Sequence, residues 1–217
     1  IYSACIRRLG SLLLSAASSA IAQDYTGSGW NHYGGSQHGM QYSSLSQIDT
    51  ENVHTLEEAW RFRTGELGQG HREPFAFQAN PIIVEGRLYL PTGSAIVFAL
   101  EPATGEEIWR VRYDGYSNVP RPVAGLGRVF VDTGYMKPHL LAIDPGGRGD
   151  VTDSHVRWRY HWQVPANPSP LLVGDRLFMV SDHGNLCLEG HIHVNNEAEF
   201  GNNDVHLTCG GTYTEGF

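Results

Sequence analysis

Three Trp-Arg pairs recur at one interval: Trp60-Arg61, Trp109-Arg110 and Trp158-Arg159, forty-nine residues apart each time. In a chain with only five tryptophans, an equal interval taken twice constrains the fold more than any local motif does. A period of this size marks a repeated supersecondary unit. The flanking residues repeat as well. Gly86-Arg87-Leu88-Tyr89-Leu90 is answered by Gly127-Arg128-Val129-Phe130-Val131, Thr92-Gly93 by Thr133-Gly134, and the run 97–101 by 140–144.

One unit, 81–113, reads as four short β-rich runs: PIIV, LYL, IVFAL and EEIWRVRY. Gly86-Arg87 supplies the first turn, Pro91-Thr92-Gly93 the second break, and Pro102-Ala103-Thr104-Gly105 a tight turn with Gly where a positive φ is needed. Such a unit predicts four antiparallel strands in one sheet. The second unit keeps the order but lengthens its last turn, PGGRGDVTDS, ahead of Trp158. A third begins with PSPLLVGDRLFMVSDHGNLCLE and then loses the pattern; Leu207 stands where the next Trp would fall. A four-stranded sheet cannot bury both of its faces alone. Radial stacking, in which each sheet covers its neighbour, is the β-propeller solution. The expected class is therefore all-β: the tail of one blade (56–64), two full blades and the start of a further sheet. A Trp near the end of each unit would pack its large apolar area between blades. Propellers close with about four to eight blades, so this chain is expected to form part of a ring, with exposed edge strands at the break.

Composition narrows the function classes. With 26 Gly and 11 Pro in 217 residues, the chain suits many short strands and tight turns. The net charge of −8 and the absence of a basic cluster argue against nucleic acid as a partner. Residues 1–22 read as a secretory signal: Arg7-Arg8, the apolar run LGSLLLSAASSA, then small Ala20-Ile21-Ala22. The alternative for this stretch is a buried N-terminal helix. The run is too short to span a bilayer, so no membrane span is expected, and the location reads as periplasmic or secreted. Cys5 would leave with the signal. Cys187 and Cys209 then remain, either paired as a disulfide or as two free thiols. Cys187, His191, His193, His206 and Cys209 lie close in sequence, but their spacing matches no zinc pattern, and no metal ligand is assigned. Asp144 and Asp153, flanking the long turn, are either Ca²⁺ ligands or solvated turn carboxylates. No nucleophile–base order and no paired carboxylates stand out, so no catalytic residue is assigned. Residues 190–217 are an unassigned tail beyond the propeller segment 23–189.

The stretch WNHYGGSQHGMQYSSLSQIDTENVHTLEEAWRFRTGE, 30–66, resembles the N-terminal opening of PQQ-dependent (quinoprotein) glucose and alcohol dehydrogenases. FQANPIIVEGRLYLPTGSAIVFALEPATGEEIW, 77–109, continues the resemblance, and ALEPATGEEIW is similar to that family's tryptophan-docking repeat, with Glu101 where Asp is usual. Beyond Tyr113 the units look more like PQQ-like repeat propellers of the outer-membrane assembly lipoprotein class. The resemblance implies part of an eight-bladed ring, the cofactors PQQ and Ca²⁺, and a sugar or alcohol substrate. It implies one cofactor-binding position. In FQANP, Gln78 stands where the family has Glu, keeping a hydrogen-bond acceptor and losing the charge. The alternative for Gln78 is a polar residue at a strand edge. The family's vicinal cysteine pair is absent, and no segment matches its Asp base. Two functions follow from the likeness: the N-terminal part of a dehydrogenase, incomplete as a catalyst by itself, or a cofactor-free propeller scaffold that binds partner proteins.

Overall fold

The computed structural model describes residues 2–5, 46–65, 78, 80–183, 185–189 and 207–212; of residues 2–5, 185–189 and 207–212 the backbone alone is described. Strand β1 (Tyr2–Cys5) pairs antiparallel with β2 (Glu58–Phe62). The first complete blade holds β3 (Ile82–Val84), β4 (Arg87–Pro91), β5 (Ile96–Leu100) and β6 (Glu107–Arg112), consecutive strands side by side. The second repeats this order with β7 (Val123–Gly125), β8 (Arg128–Asp132) and β9 (Leu140–Ile143). A two-residue strand, β10 (Gly149–Asp150), and a one-turn helix, α1 (Thr152–His155), then precede its outer strand β11 (Val156–Tyr160). The third sheet has β12 (Leu171–Val173), β13 (Arg176–Val180), β14 (Asn185–Glu189) and β15 (Leu207–Thr212). The all-β blade architecture expected from the repeat is the architecture found.

Turn chemistry explains the hairpins. Val84 pairs with Arg87, which leaves Glu85-Gly86 as a two-residue loop, with φ of 49° and 70°. Leu126-Gly127 repeats it at 55° and 67°. Two successive positive φ values define the mirror-image turn that matches strand twist. The turn thus lies one residue earlier than the Gly86-Arg87 reading, and Arg87 opens β4. The six-residue insertion before Trp158 also departs from a plain turn. Its Gly149 and Asp150 run parallel to Trp109 and Arg110, adding a fifth strand to the first blade. Val151 follows into the core between the two blades.

Both faces of each complete blade are covered by neighbours. Leu90, Phe98 and Leu100 of the first blade pack toward Phe62 of β2, whose ring meets Phe98 edge-on at 5.0 Å. The opposite face, with Ile82, Tyr89, Val97, Ala99, Trp109 and Val111, meets Val129, Val131, Leu141 and Ile143 of the second blade. The second blade's far face, built on Phe130, Leu140 and Ala142, meets Leu177 and Met179 of the third sheet.

The tryptophans occupy matched rows. Tyr89, Ala99 and Trp109 are direct cross-strand partners, as are Phe130, Ala142 and Trp158. The small Ala in the middle lets the outer aromatics approach, with centroids 5.8 Å and 5.9 Å apart and tilts of 39° and 40°. Docking onto the following blade repeats as well. Trp60 Nε1 donates to the Pro102 carbonyl at 2.9 Å, and Trp109 Nε1 to the Pro145 carbonyl at 2.8 Å. Both acceptors lie in the turn between the third and fourth strands of the next blade. Gly105 is required there. Its φ is +72°, and a Cβ would sit 2.4 Å from the Trp60 ring.

Candidate functional site

Antiparallel topology gives each blade two ends. At one lie the Trp-docking turns. At the other lie the start of the innermost strand, the link between the second and third strands, and the exit of the outermost strand. Gln78, four residues ahead of β3, is exposed in non-regular backbone.

The linking segments of this end are laced together across blades. Ser117 N–H donates to the Gly93 carbonyl at 2.9 Å, and Tyr116 forms an isolated antiparallel bridge with Tyr135. Asn118, buried, donates through Nδ2 to the Asp132 carbonyl at 2.5 Å and to the Tyr113 hydroxyl at 3.2 Å. Gly134 N–H donates to Asp132 Oδ1 at 3.0 Å. The Gly134 backbone passes so close to Asn118 that a Cβ would lie 2.9 Å from its Cα, and its φ of +72° suits Gly alone. In the third sheet, Asp182 accepts from the backbone N–H groups of Ala166, at 2.6 Å, and Asn167, at 3.2 Å.

Two acceptors in this lacing, Asn118 Oδ1 and Asp132 Oδ2, are buried with no hydrogen-bond partner. Asp132 is fully buried. Burial pushes its carboxyl well above the usual carboxylate range; the Gly134 N–H pulls it partly back, and the charge of Asp182 pushes it further up. Asp182 itself responds differently. Burial raises it, but the hydrogen bonds from Ala166 and Asn167 together outweigh that and leave it below its ordinary value. Asp132 escaped the sequence reading, although it carried a signal: within the repeat it holds the place of Pro91, a polar residue closing an apolar run. Asp132 is sealed from solvent among these segments.

The residues singled out as oxygen ligands are otherwise engaged. Asp144 is bridged by Arg128, at 2.6 Å, and by Arg157. That pair of guanidinium groups makes it an ion-pair hub rather than an open cation ligand, and corrects the Ca²⁺ reading of the long turn. Asp153 is exposed at the first turn of α1. His191, His193 and His206 lie outside the described residues. Among the described residues no group of three or more His, Cys, Asp or Glu is gathered as for a metal ion, and no helix is long and apolar enough to cross a membrane. A carboxylate-bearing quinone would find a hydrogen-bonding amide at Gln78. The described residues supply no ligand set for an accompanying cation.

Successive antiparallel sheets, docked at two junctions by Trp60 and Trp109 onto the next blade, define a β-propeller segment of the tryptophan-docking kind. Residues 30–127 match the family model for the β-propeller domain of the PQQ glucose/ethanol/alcohol dehydrogenases, and the chain is similar to quinoproteins of this kind. It is 44% identical over 82 residues to the quinoprotein glucose dehydrogenase of Escherichia coli (strain K12), covering 37% of this chain and 10% of that protein. To the dehydrogenase subunit of the quinone alcohol dehydrogenase of Gluconobacter oxydans (strain 621H) it is 33% identical over 176 residues, 79% of this chain and 22% of that one. Its fold is shared with the quinohemoprotein alcohol dehydrogenase ADHIIG of Pseudomonas putida HK5, at TM-score 0.54 and 23% identity over 79% of this chain and 26% of that chain. A europium-containing methanol dehydrogenase gives TM-score 0.58 at 19% identity, over 79% of this chain and 31% of that chain. The chain thus spans between 10% and 22% of the length of these two curated relatives.

Proposed function

We propose that this chain forms N-terminal blades of a periplasmic PQQ-dependent dehydrogenase that oxidises a sugar or an alcohol, with residues 1–22 as its export signal. The observation that carries the reading is the conjunction of 44% identity over 82 residues to a quinoprotein glucose dehydrogenase with tryptophan docking at two successive blade junctions. In this reading the chain is a wall of the cofactor bed. Gln78 offers its amide to PQQ, and residues beyond these blades supply the base and the Ca²⁺ ligands. The buried lacing around Asn118 and Asp132 would hold the segments of that end at fixed positions, as a preorganised bed requires.

The test is quinone binding by the purified chain, followed by absorbance, with PQQ and Ca²⁺ added and glucose or ethanol plus a reducible dye to read turnover. The expected result is a shift in the quinone spectrum that Gln78→Ala weakens, with no dye reduction by the chain alone. An unshifted spectrum at saturating PQQ would overturn the cofactor role and leave the scaffold function, a propeller that binds partner proteins, as the reading to pursue.

A further inference from the structure

The third sheet departs from the other two at one register row. In the first blade Leu90, Phe98 and Arg110 are direct partners across β4, β5 and β6; in the second, Val131, Leu141 and Arg159 are partners across β8, β9 and β11. The equivalent row of the third sheet reads Met179, Cys187, Cys209. A chain with three cysteines has thus placed two of them opposite each other on neighbouring antiparallel strands, where the other blades hold a large apolar residue and an arginine.

We propose that Cys187 and Cys209 form a disulfide that fastens β15 to β14. Directly opposed residues of an antiparallel pair have Cα atoms about 4.5–5.5 Å apart, within the roughly 4.4–6.8 Å that a disulfide spans. β15 is the sheet's outer strand, reads LTCGGT, and has Thr208 in the register row where the complete blades place Trp109 and Trp158. The residues between Cys187 and Cys209 include 190–206, which belong to no described element, so the covalent link would close a long loop, where removal of chain entropy is large. The row's member on β13, Met179, is buried against the second blade.

The chemistry needs a disulfide oxidant, such as oxidised glutathione or a thiol–disulfide oxidoreductase. One cysteine thiolate attacks a sulfur of the oxidant and forms a mixed disulfide. The second thiolate displaces the remaining half. The two cysteines lose two protons and two electrons, the electrons passing to the oxidant's sulfurs, which leave as thiols.

The experiment treats the full chain with oxidised glutathione, blocks free thiols with iodoacetamide under denaturing conditions, and maps protease fragments by mass without reduction. The expected result is a cross-linked fragment pair containing Cys187 and Cys209 that separates on reduction, with Cys5 alkylated. The thermal midpoint should fall by several degrees on reduction. Cys187→Ser/Cys209→Ser should lie at the reduced value and ignore reductant. Alkylation of both cysteines after oxidation, or a link from either to Cys5, overturns the proposal. Should the double variant fail to fold, the fragment map of the unaltered chain decides alone.

Discussion

In the sheet β3–β6, Tyr89, Ala99 and Trp109 form a large-small-large row, and Trp109 is fully buried with its indole N–H satisfied by the neighbouring blade. In the sheet β12–β15 the equivalent row is Phe178, Leu188, Thr208. On that same face Leu171, Val173 and Val180 are 47%, 52% and 42% exposed, whereas Ile82 of β3 is 3% exposed. Strand order is the same in the two sheets. What differs is the neighbour: the second blade covers this face of the first, and among the described residues nothing covers the matching face of the third. Hairpin formation is thus a local property of these repeats, while burial is a property of the junction between them.

The largest test of this contrast is Trp109→Ala. It removes a buried indole and one of the two donors to the Pro145 carbonyl, leaving Arg87 Nη1, and should cost about 3–5 kcal/mol in denaturant unfolding. Trp60→Ala, where the indole is half-buried, should cost less. Next is the docking turn. Gly105→Ala forces a Cβ into the Trp60 ring at positive φ and should destabilise by about 2–3 kcal/mol. Gly174→Ala, in the third sheet's first turn, has φ of +61° but nothing within 4 Å, and should cost only the backbone strain of about 1–2 kcal/mol. If the two glycine variants behave alike, the docking turn is not under the constraint described.

A third test concerns pH. Asp132 faces Asp182 across the second and third sheets, with the Gly134 N–H as its donor and Asn118 and Tyr113 beside it. Its folded pKa lies above the unfolded value, so over that window the folded state holds more protons. Its contribution is fully present below the ordinary 3.8 and is lost as pH rises through the folded value. Unfolding midpoints against pH should show this decline, and Asp132→Asn should abolish it. The smallest expected effect is at the uncovered face. Leu171→Ser should change stability by no more than about 0.5 kcal/mol, as exposed substitutions do. A loss of 2 kcal/mol or more would mean that this face is covered in solution.

The repeat was readable because Trp-Arg, Gly-Arg and Thr-Gly recur at matching places and need only be aligned. The Gly105 turn was readable for the same reason: a glycine after Pro-Ala-Thr signals positive φ. Three features were not. The insertion before Trp158 reads as a loose turn, yet its backbone pairs with the previous blade through β10, a contact between segments about forty residues apart in sequence. Extrapolating the period puts the next Trp at Leu207, but the register puts the equivalent place at Thr208, because the intervening segment has its own length. Asp132 sat in plain view as a polar break in a β run, but its unpaired, buried oxygen exists only because Asn118 and Gly134 close over it.

By itself the sequence determined the four-strand unit, its hairpin turns, its likeness to quinoprotein dehydrogenases and the aromatic that ends each complete blade. All of these are set by residues within one repeat, through local backbone preference and alternation of side chains. Tertiary structure alone decided which carbonyl each Trp reaches, which carboxylates are neutralised by arginine, and which acid is sealed from water. Each of those depends on the approach of a second blade, and the energy of a polar or aromatic group turns on what surrounds it more than on what it is.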